Sequence, residues 1–265
     1  MHASWNAILR GGGDRLWSGA AMSFCSAIAC LVAIPFLPLP TPASWPCILL
    51  SAIIHVFYQL LLVRMYREGD FGVTYPVARG SSPLLISLGG AVLTAEYMNT
   101  LNVIGVILVS AGIFMLATGG HHLHRKSVPA ALATGVSIAA YSLTDGLGVR
   151  LSGNAVAYTA WMMLLCGSTM PLVFMWLRKD GIDGLTKDRS GKDFVQVAGG
   201  GLISILGYGI VIWAMEHTTM GLVSALRETS VLMAAILGRL LLGEAFTRRK
   251  AASAALIGAG AVCLH

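Results

Sequence analysis

The sequence predicts an all-α polytopic membrane protein made of two inverted five-helix repeats, that is, ten helices of which the first is truncated. Three observations lead to this fold class. Of the 265 residues, 56% are hydrophobic and only 11% are charged, whereas a soluble domain carries about 25% charged residues. The apolar residues form runs of about 20, the length that crosses a bilayer core of ~30 Å. The second half of the chain repeats the pattern of the first.

Nine long apolar runs follow one another along the chain, and each predicts a helix because a segment in lipid must satisfy its own backbone hydrogen bonds. The longest connection between them, Arg178–Asp193, is too short for a soluble domain. The runs are Leu16–Leu37, Trp45–Tyr66, Phe71–Leu93, Leu101–Thr118, Val128–Leu147, Ala155–Leu177, Phe194–Met215, Met220–Leu242 and Ala251–Leu264.

The residues before Arg10, MHASWNAIL, predict only half a span. Nine helical residues cover about 14 Å at ~1.5 Å per residue. The stretch has neither the basic start nor the apolar core of a signal peptide. Two interpretations stay open, namely that the true start lies upstream and that the protein has nine full spans.

An internal repeat appears when the sequence is compared with itself at an offset of 148 residues. The matching pairs are Arg79 with Arg227, Glu96 with Glu244, and Gly112 with Gly260. We therefore expect a first repeat at residues 1–118 with an incomplete first helix, a linker at 119–127 and a second repeat at 128–265. Because five helices is an odd number, the second copy enters the membrane upside down, as in many transporters.

The basic residues support this alternation independently. The connections between the helices contain 15 lysines and arginines. Fourteen of them are distributed over the first, third, fifth, seventh and ninth connections, and only Arg150 lies in one of the others. The positive-inside rule places the basic connections in the cytoplasm. The net charge of +6 does not indicate nucleic-acid binding, because the basic residues form no single patch or stripe.

Arg79 and Arg227 are the first candidates for a functional site. An arginine within a span costs at least ~2.5 kcal/mol, so it should face a partner or a wet cavity. Their matching repeat positions predict that both approach the pseudo-two-fold axis near the midplane. They would then line a central cavity and hold an anionic group, such as a carboxylate or phosphate. The alternative is that each arginine pairs with an acid and only fixes helix packing.

Other polar side chains recur at helical spacing within the spans, which indicates a common pocket. For any one of them, a helix–helix hydrogen bond of about 0.6 kcal/mol is the alternative interpretation. Asp145 and Glu228 are acids within spans that could carry a proton during transport or neutralise an arginine. The candidate substrate-binding residues are Arg79, Arg227, Tyr75, Tyr58, Gln59, Tyr141, Tyr208, Trp5 and Asn6.

The remaining motifs predict neither a metal site nor a cofactor. The five cysteines lack CxxC spacing and are interpreted as small apolar residues. The segment HHLH, His121–His124, is interpreted as a solvated loop. The sequence contains neither a nucleophile triad nor a P-loop, so it does not predict an enzyme. The helices rich in glycine and alanine around Gly105, Gly112 and Ala252–Ala261 predict close helix contact, either within one chain or in a homodimer.

Several segments resemble the EamA-type members of the drug/metabolite transporter superfamily. They are HASWNAILR, YPVARGSSPLL, TAEYMNTLNVIGVILVSAGIFML, AAYSLTDGLGVR and LLLGEAFTRRKAASAALIGAGAVCL, and the resemblance covers nearly the whole chain. It implies ten helices in two inverted repeats, a central cavity, and movement of small metabolites or drugs, often outward. It also implies an integral protein of the bacterial inner (plasma) membrane.

Residues and resemblance together predict a secondary transporter, an exporter, that moves a small organic solute by alternating access. Its central cavity would contain Arg79 and Arg227. The alternative from a different class is a non-transporting membrane scaffold or sensor whose arginines are structural.

Overall fold

The computed structural model describes residues 15–68, 71–117, 128–178, 190–231, 233 and 247–265. These residues form nine α-helices and two short 3-10 turns, and no strand occurs among them, so the all-α prediction is confirmed. The helices are α1 (Arg15–Ala33), α2 (Trp45–Glu68), α3 (Phe71–Thr94), α4 (Thr100–Ala117), α5 (Val128–Ser152), α6 (Ala155–Arg178), α7 (Gly191–His217), α8 (Met220–Glu228) and α9 (Arg248–Cys263), and the turns are Ile34–Phe36 and Pro42–Ser44.

Four segments of the described chain are long and apolar enough to cross a membrane, namely Trp17–Phe36, Pro42–Leu62, Ala155–Trp176 and Asp193–His217. Helices α3 and α5 have similar lengths, 24 and 25 residues, but each carries a row of buried polar side chains. These include Arg79 on α3 and Asp145 on α5. Ionisable residues within membrane helices face a partner or a wet cavity inside the protein.

Helix α3 runs through two prolines without ending. Pro83 has no N–H, so the carbonyl oxygen of Arg79 loses its usual donor four residues ahead. The hydroxyl of Ser82 donates to that oxygen instead, at 3.1 Å. The carbonyl oxygen of Arg79 is therefore satisfied by a side-chain hydroxyl and not by a backbone N–H.

The chain divides into two compact units. The first contains Met1–Val56 and Thr144–Glu216, and the second contains Phe57–Leu143 and His217–His265. Helices α2 and α5 each contribute residues to both units.

The first unit is built around helix α1, which packs along α6. Its core also reaches α7, since the hydroxyl of Ser26 on α1 donates to the carbonyl oxygen of Gly201 at 3.1 Å. The buried apolar cluster consists of Trp17, Ala20, Ala21, Met22, Phe174 and Val197. This cluster ties the three helices together without any buried charge.

In the second unit, helix α4 lies directly against α9 through glycines. A Cβ at Gly260 would lie 2.8 Å from the carbonyl oxygen of Gly105, and one at Gly112 would lie 3.0 Å from that of Ser253. Only glycine permits such a close approach of two backbones. For these glycines, the predicted close contact is therefore within one chain. A Cβ at Gly258 would meet nothing within 4 Å.

Candidate functional site

Arg79 and Glu228 form a buried ion pair within the second unit. Nε of Arg79 on α3 donates to Oε2 of Glu228 at the end of α8, over 2.8 Å. The two side chains are 3% and 0% exposed. A charge-assisted hydrogen bond of this length is among the stronger polar contacts in proteins. Of the two acids considered from the sequence, Glu228 is thus the one that neutralises Arg79.

Arg227 approaches the same carboxylate from the other side without completing a hydrogen bond. Its Nε lies 3.6 Å from Oε1 of Glu228, although its side chain is only 4% exposed. That distance is too long for a hydrogen bond. Within the described part of the chain, Nε and Nη2 of Arg227 and Oε1 of Glu228 are buried without hydrogen-bond partners. Two guanidinium groups therefore bear on one carboxylate, and the cluster holds a net charge of +1.

Aromatic side chains accompany Arg79. Its guanidinium carbon lies 5.9 Å from the ring centroid of Tyr75, one helical turn earlier, which is within cation–π range. The rings of Tyr58 and Tyr141 meet edge to face at 5.5 Å in the same unit. Tyr58 and Tyr75 both pack against the buried cluster that includes Ala78. Three of the tyrosines singled out from the sequence thus belong to the unit that holds both arginines.

Helix α8 is fixed at its start by Glu96. The N-terminal flanking residue, Thr219, makes no side-chain cap. Instead, the backbone N–H of Met220 donates to Oε2 of Glu96 at 2.9 Å. A carboxylate at this position also complements the positive end of the helix dipole. Glu96, which the sequence marked only as a repeat position, thus holds the start of the helix that carries Arg227 and Glu228.

The turn that presents Glu96 contains an unusual backbone conformation. Ala95 has a φ of 51°, the left-handed region that residues with a Cβ rarely adopt. The N–H of Glu96 donates to the carbonyl oxygen of Gly90 at 3.2 Å, and the hydroxyl of Thr94 donates to the same oxygen at 2.6 Å. These bonds hold the strained turn and aim the carboxylate at α8.

A second polar cluster lies within the first unit, around Asp145 of α5. This carboxylate is fully buried. The hydroxyl of Tyr158 donates to Oδ1 at 3.0 Å and that of Tyr208 donates to Oδ2 at 2.5 Å. The His55 ring meets the Tyr208 ring edge-on at 5.7 Å, and Nδ1 of His55 lies 3.2 Å from the Ser51 hydroxyl. Asp145 is thus held by two phenolic hydroxyl groups, and an imidazole ring lies against one of the two tyrosines.

The turn between α5 and α6 brings Tyr158 back to Asp145. Gly153 has a φ of 73°, which reverses the chain after α5. Oδ1 of Asn154 then accepts a hydrogen bond from the backbone N–H of Ala157 at 2.9 Å and caps α6. Tyr158 follows in the first turn of α6. The sequence signal for this residue was the glycine–asparagine turn after Asp145, which our sequence analysis did not use.

Gln59, another candidate from the sequence, is half-buried on α2. The five cysteines are free, as predicted. Trp5, Asn6, Glu244 and the His121–His124 segment lie outside the described residues.

A sequence model of the EamA-like transporter family matches residues 125–265, more than half of the chain. The chain belongs to the EamA-like transporter family. It is therefore an integral membrane protein of the drug/metabolite transporter type, whose members are transporters and not enzymes. Its partners are a small-molecule solute and the lipid around it.

This EamA-like protein also has a similar fold among solved structures. The chain superposes on the crystal structure of another protein with a TM-score of 0.77. The match covers 98% of this chain and 96% of the other, at 22% sequence identity. At this identity the similarity shows the fold alone. No curated protein matches the chain.

Proposed function

We propose that this EamA-like transporter moves a small organic solute carrying an anionic group, and that Arg79 and Arg227 hold that group. The observation that supports this concerns two donor atoms of the Arg227 guanidinium. Its Nε and Nη2 are buried without hydrogen-bond partners in the described chain, and buried donors left unpaired are costly. A guanidinium presents its N–H groups as a fork that fits the two oxygens of a carboxylate, phosphonate or sulfonate.

The transport mechanism follows from the repeat. Two inverted five-helix halves would rock against each other around a central cavity, and the solute would be exposed to each side in turn. Arg79 and Arg227 occupy matching positions in the two copies and bear on one carboxylate, which is the arrangement expected beside a pseudo-two-fold axis. We propose outward transport and residence in the bacterial inner membrane, both on the family resemblance.

Asp145 is proposed as the proton-coupling residue. Tyr158 and Tyr208 both donate to its carboxylate, and His55 lies against Tyr208. A buried carboxylate held by hydroxyl groups and close to an imidazole can exchange a proton with few rearrangements. Glu228, whose Oε2 is occupied by Arg79, is assigned to the anion site instead.

A homodimer is proposed through the outer faces of the glycine- and alanine-rich helices. The inner faces of α4 and α9 are used within the chain, but Val103, Ile107 and Val262 are exposed large apolar residues on these helices. Cross-linking of single cysteines at Ile107 in native membranes would detect the dimer. Absence of a cross-linked species would argue against it.

The decisive experiment compares wild type with Arg79→Gln in purified form and in liposomes. We expect carboxylates, phosphonates or sulfonates to raise the melting temperature of wild type and to show saturable flux, and the variant to lose both while remaining folded. Arg64→Gln is the matched control, because Arg64 is an exposed arginine on α2. If Arg79→Gln leaves the saturable flux unchanged, the proposed anion site is wrong.

The same experiment separates the transporter from a non-transporting scaffold or sensor. The Arg79–Glu228 pair by itself fits a structural role, since the two opposite charges neutralise each other. A scaffold would give no saturable flux in liposomes under any gradient. A sensor would show ligand-dependent stabilisation without flux.

A further inference from the structure

The Arg79–Glu228–Arg227 cluster contains two buried cations and one buried anion. Glu228 accepts a hydrogen bond from Arg79 through Oε2, while its Oε1 and the Nε and Nη2 atoms of Arg227 stay without partners in the described chain. An uncompensated charge in an apolar interior is strongly unfavourable. Counted over the described residues, the cluster therefore lacks one negative charge.

A third unpartnered polar group lies on the same helix. The Ser224 side chain is fully buried, and its Oγ has no hydrogen-bond partner among the described residues. Ser224, Arg227 and Glu228 are three and four residues apart, so they share one face of α8. A headgroup with several oxygens could accept from both the hydroxyl and the guanidinium. The open donors on this face are therefore suited to the oxygens of an anionic headgroup.

The charge of the cluster sets the charge of its ligand. We propose that Glu228 is the residue that determines headgroup specificity, so that the cluster binds a monoanion without a proton and a dianion only together with one proton on Glu228. With Glu228 ionised, the net charge of +1 is cancelled by a monoanion. With Glu228 protonated, the net charge of +2 is cancelled by a dianion. This inference rests on the proposed anion site at Arg79 and Arg227.

Of the described residues that line the cluster, Glu228 is the one that can change charge. Arg79 on α3 and Arg227 on α8 remain protonated at all relevant pH values. Tyr75 lies under Arg79, and Tyr58 of α2 and Tyr141 of α5 bear on Arg79 electrostatically. Phenols are neutral below pH ~10. Helix α4, which packs against α8, contains no titratable side chain.

The test uses two sulfonates whose own charge is constant with pH. 2-Hydroxyethanesulfonate is a monoanion, and ethane-1,2-disulfonate is a dianion with the same two-carbon backbone. For wild type we expect a Kd for the monoanion that does not change with pH wherever Glu228 is ionised in the free protein. For the dianion we expect the Kd to rise about tenfold per pH unit wherever Glu228 is ionised in the free protein, since one proton is taken up on binding.

Glu228→Gln supplies the second readout, because its amide oxygen can still accept from Arg79 while its charge is lost. In this variant we expect the dianion to bind without pH dependence and more tightly than the monoanion. Glu216→Gln, which changes an acid of the first unit, is the matched control and should behave like wild type. If Glu228→Gln does not fold, calorimetry of wild type in two buffers counts the protons directly, with zero expected for the monoanion and one for the dianion.

The outcomes separate this inference from the anion site itself. Arg79-dependent binding of both sulfonates with no proton uptake for either would overturn the role of Glu228 and leave the anion site in place. Binding of neither sulfonate to wild type would overturn both.

Discussion

Glu96 and Met220 are joined by a 2.9 Å hydrogen bond although 124 residues separate them in the chain. The carboxylate of one residue caps the helix that the other begins. That helix carries Arg227 and Glu228, so we expect the geometry of the proposed anion site to depend on a residue that does not belong to it.

Replacing Glu96 with alanine should therefore destabilise the protein by about 0.5–2 kcal/mol, the usual cost of losing a helix cap. Glu96→Gln keeps an oxygen acceptor and loses only the charge, so its cost should be smaller. Thermal unfolding in detergent measures both. Equal melting temperatures for wild type and Glu96→Ala would show that the cap contributes nothing.

Removing the tyrosine hydroxyls around Asp145 should also destabilise the protein. Tyr158→Phe and Tyr208→Phe keep the rings and delete one hydrogen bond each to the carboxylate. Hydrogen bonds to charged groups contribute about 1.5–3 kcal/mol. Tyr97→Phe is the control, because Tyr97 is 85% exposed. A similar small effect for all three variants would mean that Asp145 does not depend on these hydroxyls.

The two clusters have different proposed roles, so variants in them should lose different properties. Asp145→Asn should abolish solute accumulation driven by a proton gradient and leave anion-dependent stabilisation intact. Arg79→Gln should abolish stabilisation by anions. Uphill transport by Asp145→Asn at the wild-type level would remove Asp145 from the coupling mechanism.

The contact between α4 and α9 can be tested with two matched glycines. Gly260→Ala places a Cβ 2.8 Å from the Gly105 carbonyl oxygen, and overpacking of this kind costs about 1–3 kcal/mol. Gly258→Ala meets nothing within 4 Å, and alanine is the better helix former by about 0.8–1.0 kcal/mol. The two variants should shift the melting temperature in opposite directions. A shift of the same sign in both would contradict the packing of these helices.

The positive φ of Ala95 predicts a stabilising substitution. The left-handed conformation costs an L-residue about 1–2 kcal/mol, and glycine's extra freedom in the unfolded chain offsets about 0.5–1 kcal/mol of that gain. Ala95→Gly should therefore raise the free energy of unfolding slightly. Ala91→Gly, inside α3, should lower it. Melting temperatures that fall equally in both variants would contradict the strained turn.

The helices were predictable because their apolar runs are long and their turns are polar. The predicted run Leu101–Thr118 differs from helix α4 by one residue at each end. The family resemblance was likewise visible in the motifs and is confirmed by the match over residues 125–265. Periodicity and composition suffice for both conclusions, since each depends on residues close together in the chain.

The partners of the polar side chains were less predictable. Arg79 meets Glu228 over 149 residues and Glu96 meets Met220 over 124, and no local pattern encodes such pairings. Tyr158 was missed because its role depends on the turn at Gly153 and Asn154, not on the spacing of polar residues within one helix. The shared cavity, the inverted arrangement of the halves and the solute remain predictions.

The distance in sequence between Arg79 and Glu228 has a consequence for biosynthesis. Ribosomes add ~5–20 residues per second, so Glu228 leaves the ribosome about 7–30 s after Arg79, given the 149 residues between them. During that time Arg79 lacks the counter-ion that Glu228 supplies in the folded protein. An arginine within a span should face a partner or water, so we expect Arg79 to stay hydrated until the end of α8 has been made.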